Sequence, residues 1–258
     1  MTPILAFDIE TVPDIAGLRL LHGIDPQVSD RDVAEFAFRE RRAKTGHDFL
    51  PLHQHRVVAI ACALRDEDSF RCWSLGSADE GEAGLIRRFF DGIEKYTPQL
   101  VSWNGGGFDL PVLNYRSLLH GVSAPRYWEQ GDEDRDFRGN NYLGRYHMRH
   151  VDLMDFLAMY QPRNYVPLDE LSQLLGFPGK LGLDGSKVWE TYQAGQMDRI
   201  RNYCATDAAN TYLVFQRFQL IRGQCDEARY RSELKLVRET LAKSGEAHWR
   251  EFVGRWSA

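Results

Sequence analysis

Residues Ile4–Thr11 read ILAFDIET, an apolar run that closes on two carboxylates with one apolar residue between them. Side chains two apart along a strand share a face. Ile4, Ala6, Asp8 and Glu10 therefore line one side of the predicted strand, and Leu5, Phe7 and Ile9 line the other. Aspartate is a poor strand former. Two carboxylates held side by side resist ionising together unless a cation neutralises them. A buried strand that ends this way needs a partner for the pair, brought in from elsewhere in the chain.

The chain has 258 residues, 43% hydrophobic and 27% charged, which suits a soluble globular protein with a substantial core. Its 32 basic and 37 acidic residues leave a formal charge of −5. That balance argues against a non-specific basic coat for nucleic acid and leaves a locally basic groove open. Cys62, Cys72, Cys204 and Cys225 show neither a Cys-x-x-Cys pair nor zinc-like spacing, so free thiols in a reducing compartment are expected. Met1 runs almost directly into the first strand, and no apolar run approaches a membrane span. The expectation is a cytoplasmic protein with no membrane partner.

Periodicity outlines the architecture. After the Ile4–Thr11 strand, residues 13–56 are polar and helix-like, which reads as a helical insertion. VVAIACAL (57–64) is a continuous apolar strand, DED (66–68) its turn, and FRCWSL (70–75) the strand that returns beside it. Glu80–Tyr96 has helical spacing, QLVSW (99–103) is a short strand, and LPVLNYRSLLHG (110–121) is a helix closed by Gly121. Residues 122–147 are polar and glycine-containing, and a flexible loop is expected there. HVDLMDFL (150–157) reads as a short strand or helix start, LDELSQLLG (168–176) as an amphipathic helix, and Met197–Leu220 as a strong one. About 222–258 forms a charged helical extension. The order predicts one α/β domain over 1–258, a mixed sheet flanked by helices.

Three segments carry chemistry-bearing residues. The first is Asp8-x-Glu10. The second is WNGGGFDLPVL, which sets Asn104, Phe108 and Asp109 around three consecutive glycines between a strand and a helix. It lacks the G-K-[ST] or G-x-G-x-x-G of a phosphate loop. The third is the helix at 197–220, where Met197, Ile200, Cys204, Ala208, Thr211, Phe215 and Phe218 form a core stripe. Tyr203 and Asp207 lie one turn apart beside it. Singly, each segment also reads as ordinary capping or packing. Together, four carboxylates at strand and helix ends can converge on one pocket, and oxygen-only donors suit hard divalent cations.

With these motifs in hand, the sequence resembles the tyrosine branch of the DEDD 3′-5′ exonuclease superfamily, which has a ribonuclease H-like fold. It looks closest to the predicted exonucleases related to the proofreading domain of family-B DNA polymerases. FDIET, SWNGGGFDLPVL and NYCATDAANTYLVF match three ordered motifs, and KLGLDGSKVWETYQAGQ (180–196) looks like a stretch typical of that group. The resemblance runs from about Phe7 to Phe215. It implies two divalent ions, Mg²⁺ or Mn²⁺, with Asp8, Glu10 and Asp207 on the first. Asp8 and Asp109, directly or through water, would hold the second, and Tyr203 would orient the attacking water. Asn104 and Phe108 would face the 3′-terminal nucleotide. Apart from the resemblance, Lys180 and Lys187 flank a glycine-containing loop and read either as phosphate contacts or as part of a solvated loop.

The implied activity is release of nucleoside 5′-monophosphates from single-stranded 3′ ends, with DNA placed ahead of RNA and a DNA polymerase or repair complex as partner. The alternatives are a nucleic-acid- or partner-binding module of the same fold with little turnover, a ribonuclease acting on RNA 3′ ends, and an endonuclease cutting RNA in hybrids. Asp152 and Asp155 read as capping or salt-bridging groups, His147 and His150 as solvated loop residues, and Trp103 as core. Arg41, Arg42 and Lys44 read as an exposed helix face.

Overall fold

A computed structural model of the chain describes residues 2–77 and 80–257. Met1 and Ala258, the ends of the expected 1–258 unit, lie outside the described residues. The ILAFDIET strand runs past its expected end as β1 (Ile4–Pro13) and occupies the middle of a five-stranded sheet. On one side it pairs antiparallel with β2 (His55–Asp66), which turns back into the edge strand β3 (Ser69–Ser74). On the other side it pairs parallel with β4 (Gln99–Ser102), followed by β5 (His150–Asp152) at the opposite edge.

The insertion holds α1 (Ile15–His22) and α2 (Asp30–Thr45). It is shorter than the expected 13–56, because β1 and β2 extend into both of its ends until Pro13 faces His55 across the ladder. Next come α3 (Glu82–Tyr96) and α4 (Asp109–His120), then the short α5 (Pro125–Trp128) before β5 and α6 (Leu153–Leu157) after it. HVDLMDFL is thus both a strand and a helix start. α7 (Leu168–Leu174) and α8 (Val188–Gln193) lead into the long α9 (Met197–Ile221), and α10 (Glu227–Lys243) and α11 (Ala247–Arg255) complete the series. This is the α/β, ribonuclease H-like mixed sheet flanked by helices that the resemblance implies.

The alternation on β1 sorts the core into two layers. Leu5, Phe7 and Ile9 pack with Ile86, Phe89 and Phe90 of α3 and Val112 and Leu113 of α4. Ala6 faces the opposite layer with Cys204, Ala208 and Tyr212 of α9. Asp8 and Glu10 share the parity of Ala6, so they are delivered to the α9 side. The sequence predicts one buried stripe on α9, but every residue from Tyr203 to Gln216 is buried. The charged extension accounts for this: Val237 and Leu241 of α10 and Trp249 and Phe252 of α11 join the same core and enclose the helix. Segment 122–147 has little regular structure beyond α5 and a turn at Arg135–Phe137. Tyr127, Phe137 and Tyr142 anchor it in the α3–α4 layer, and the Tyr142 hydroxyl donates to Pro98 O at 2.7 Å. No described helix is long and apolar enough to cross a membrane.

A buried ionic network ties this layer to the end of β1. Arg116 of α4 donates to Asp14 Oδ2 at 2.6 Å and forks onto both Glu82 oxygens at 2.7 and 2.5 Å. Glu82 Oε1 also accepts the Val57 N–H at 2.7 Å, and Asp14 caps α1 through Gly17 N–H. Removing the cation would leave two buried carboxylates facing only backbone N–H groups and, at Glu82, the His120 ring 2.7 Å away. Arg116→Met should therefore lose about 3–5 kcal/mol of stability, read as a shift in urea midpoint. A loss under about 1 kcal/mol would show the network to be dispensable.

Candidate metal centre and active site

Past Ala6, β1 has no further pairing with β4, because β4 ends at Ser102. The strand therefore projects a polar edge into a crevice at the carboxyl end of the sheet. Ile9 N–H, on that open edge, donates to Asp109 Oδ1 at 3.1 Å. Asp109 is the first residue of α4, where the helix dipole favours a carboxylate. Between Glu10 and Thr11 the β1–β2 register shifts by one residue. Such bulges bend a strand and re-aim its side chains.

Across the crevice, α9 presents Tyr203 and Asp207. The Cys204 thiol donates to Asp8 O at 3.2 Å, which fixes the helix against the strand. The result is a tight acidic group: one oxygen from each of Asp8, Glu10 and Asp207 lies within 4.8 Å of the others. Asp109 is placed beside this group, tied to the backbone of β1, and is not one of its three oxygens.

Burial dominates the electrostatics. It holds the Asp8 and Glu10 carboxyls well above the usual carboxylate range, and their mutual repulsion with Asp109 and Asp207 adds to the effect. Burial also pushes Asp109 up to about 7, against the pull of the Ile9 N–H. Asp207 rises to about 6, restrained by the Lys180 ammonium and the Tyr203 hydroxyl. The Tyr203 phenol is raised by burial and then by the fields of Asp207, Glu10 and Asp8. It therefore keeps its proton and acts as a donor.

Two atoms show what the group lacks. Asp8 Oδ2 and Asp207 Oδ1 are buried with no hydrogen-bond partner among the described residues. An unsatisfied buried carboxylate oxygen is costly. A hard divalent cation such as Mg²⁺ or Mn²⁺ fits this oxygen-only donor set and relieves both the repulsion and the missing contacts.

The remaining sequence candidates divide between two cavities. Asn104 and Lys180 line a cavity of about 440 Å³ with Asp8 and Asp207, and Lys180 Nζ lies 5.5 Å from the Tyr203 ring centre. Phe108 lines a second cavity of about 630 Å³ that includes Glu10. Lys187 lines neither; it pairs with Glu190 at 3.3 Å on the surface.

The three-glycine turn places Asn104 in the left-handed region at φ 66°. Asp152 clamps the turn, accepting the Asn104 and Gly106 N–H groups at 2.9 Å each. A side chain at Gly105 would collide with Ser102. Asp155 forms a bidentate pair with Arg145 at 2.7 and 2.8 Å. His150 is half-buried rather than a solvated loop residue, bonded to Ser102 Oγ at 2.8 Å and pushed down by desolvation to about 4.

Sequence reasoning missed the wall of the larger cavity. Phe49 and His55 pack on Phe108 with ring centres 5.7 and 5.4 Å away, and Trp189 joins from α8. Arg31 and Arg42 form its outer rim while staying exposed, as expected for the basic face of α2. The recurrence of Arg31, Glu35, Phe38 and Arg42 along one helix face was the available signal.

The sequence model of a family described as "Predicted 3'-5' exonuclease related to the exonuclease domain of PolB" matches residues 47–256. That range includes Asp109, Tyr203 and Asp207 but not β1, so Asp8 and Glu10 join the site through geometry. A DNA polymerase of Archaeoglobus fulgidus is 26% identical over 167 residues, 61% of this chain and 19% of the relative. The catalytic polypeptide of DNA polymerase epsilon from Emericella nidulans is 26% identical over 145 residues, 54% of this chain and 6% of the relative. Its Saccharomyces cerevisiae counterpart is 23% identical over the same shares. The chain spans less than a fifth of the length of these relatives.

The raised carboxyls set a pH signature. Each binds its proton more tightly folded than unfolded, so the metal-free chain loses stability as pH climbs from the ordinary 3.8 through about 6 for Asp207 and about 7 for Asp109. In chelator at pH 7.5, Asp207→Asn should melt above wild type by on the order of 5 °C. The gap should narrow as pH falls toward 5, and Mn²⁺ should raise the wild type alone. Equal melting temperatures at pH 7.5 with no response to Mn²⁺ would count against a cation site.

Proposed function

The chain belongs to the family of predicted 3′-5′ exonucleases related to the exonuclease domain of PolB, and on that premise we propose that it hydrolyses the terminal phosphodiester of single-stranded nucleic acid. The products are nucleoside 5′-monophosphates and a strand one residue shorter. One observation carries the reading: the Asp8, Glu10 and Asp207 oxygens lie within 4.8 Å, two of these carboxylates have an orphaned oxygen, and Tyr203 sits one helical turn before Asp207. DNA is placed ahead of RNA because the relatives are named DNA polymerases. A DNA polymerase or repair complex is the partner class that would supply frayed 3′ ends.

Two divalent ions, bound by Asp8, Glu10 and Asp207 and by Asp8 with Asp109, would supply charge neutralisation and an activated water when present. The chain's own groups do the rest. Tyr203, protonated and fixed against Asp207, donates toward the attacking water and orients it. A phenol held this far above its ordinary value does not serve as the base. Lys180, the cation whose field reaches Glu10 and Asp207, faces the scissile phosphate. Asn104 holds the terminal nucleotide from the cavity over Asp8, and the Phe108 ring flanks it from the cavity beside Glu10. Water attacks phosphorus and sheds a proton to solvent, the bond from phosphorus to the upstream O3′ breaks, and that oxygen takes up a proton from solvent to become a hydroxyl.

A 5′-labelled single-stranded oligonucleotide with Mg²⁺ or Mn²⁺ should shorten stepwise from its 3′ end, and chelator should stop it. Asp8→Asn should lower the rate about a thousandfold, and Tyr203→Phe about a hundredfold. A circular single strand should stay intact. Activity that survives both chelation and Asp8→Asn would overturn the reading.

A further inference from the structure

The three-glycine turn has two sides. One faces the acidic group through Asn104. On the other, Gly106 and Gly107 wall a separate cavity of about 370 Å³, a size that accepts a small organic group such as a nucleobase with its sugar. Tyr165 lines both this cavity and the one over Asp8, so the two are neighbours around the turn.

The chemistry of the cavity points to a base rather than a phosphate. Its guanidinium, Arg145, is already committed to Asp155, which also accepts the Tyr165 hydroxyl at 2.8 Å. His147 Nδ1 is taken by the Asn141 N–H at 3.0 Å. What the walls offer is aromatic surface from the half-buried Tyr160 and Tyr165, with the core rings of Tyr127 and Tyr142 as backing, and one amide, Asn114. Asn114 Nδ2 donates to the Tyr127 hydroxyl at 3.4 Å, while Oδ1 is buried with no partner among the described residues. An unpartnered amide oxygen accepts, so it can read a donor on a base edge, such as an exocyclic amine. The rim is also strained. Met159 and Tyr160 both adopt left-handed φ, 53° and 61°, which non-glycine residues avoid. The Tyr160 N–H bond to Asp155 O at 2.8 Å helps hold them there. Strain of this kind collects at ligand clamps.

We propose that this cavity is a second subsite, which receives an unpaired base upstream of the scissile linkage while the 3′ end lies at the acidic group. The proposal rests on the exonuclease reading, which fixes where the terminus sits. A base inserted here is unstacked and unpaired, so the subsite would select single strands by construction. It also gives the three-glycine turn a purpose: side chains at Gly106 and Gly107 would press on Asp152 and Asn104 at the junction of the two cavities.

The test is binding without turnover. Asp207→Asn protein is titrated with fluorescent single-stranded DNA carrying one abasic site, moved stepwise from the 3′ end, and anisotropy is read. At one upstream position the missing base should weaken binding about tenfold. Leu143→Trp, which fills the cavity from its partly exposed rim, and Tyr160→Ala should each erase that penalty and keep the profile elsewhere. A penalty that persists in both variants, or a flat upstream profile, would overturn the subsite. Deoxyadenosine monophosphate that binds alone, is lost in Leu143→Trp, and accompanies a flat profile would assign the cavity to a free mononucleotide, which also overturns it. Degradation of the intact oligonucleotides by wild type with Mn²⁺ is scored separately. Its absence sinks the exonuclease reading and leaves the binding profile to decide the subsite.

Discussion

Like charges forced together out of water are the constraint on which this protein is organised. Asp8, Glu10, Asp109 and Asp207 repel one another in a crevice where burial alone already disfavours their ionised forms. A compliant scaffold would relax by letting the side chains part. Here each is mounted on backbone that cannot yield. β1 is the central strand, bonded on both sides over its first residues. α9 is enclosed by the sheet and by the helices behind it. Asp109 is pinned to Ile9 at the start of a helix packed under the opposite face. The stability given up at the site is offset by two apolar layers, a common division between scaffold and functional centre.

The parts of the site legible in the sequence were those in which a short spacing determines a direction. Asp8 and Glu10 share a face because they are two apart on a strand, and Tyr203 and Asp207 share a line because they are four apart on a helix. The alternation on β1 also foretold both core layers. The rest depended on contacts between distant segments. Nothing within 197–220 says that α9 is buried all round, since the residues that cover it lie in the charged extension. Lys187 looked equivalent to Lys180 in the same glycine-containing stretch, and each meets a nearby carboxylate, Glu190 at 3.3 Å and Asp184 at 3.7 Å, yet of the two only Lys180 lines the cavity over Asp8. Phe49, His55 and Trp189 come from three different segments and meet only in the folded chain. His150, in a polar stretch of sequence, is half-buried because β5 adds it to the sheet edge.

The glycine turn shows how one local device serves several ends. Three residues without side chains let the backbone pass close to Ser102, hold Asn104 at positive φ, and accept Asp152 as a clamp. Asp152 is therefore structural in a specific physical sense: it supplies the acceptors for N–H groups of an irregular turn that no strand or helix partner satisfies. The same turn separates the cavity over Asp8 from the one lined by tyrosines, and its thinness keeps them adjacent.

The facing of Pro13 and His55 across β1 and β2 has a consequence for how such a protein can change. The insertion departs and returns at a single rung of the ladder, so it is a detachable cassette. Its ends are closed by the sheet whatever lies between them, and lengthening a closed loop costs little. α2 could be exchanged, shortened or re-sequenced while the carboxylates keep their places. Because one face of that helix lines the cavity beside Glu10, changes in α2 can reshape that cavity while the acidic group stays in place.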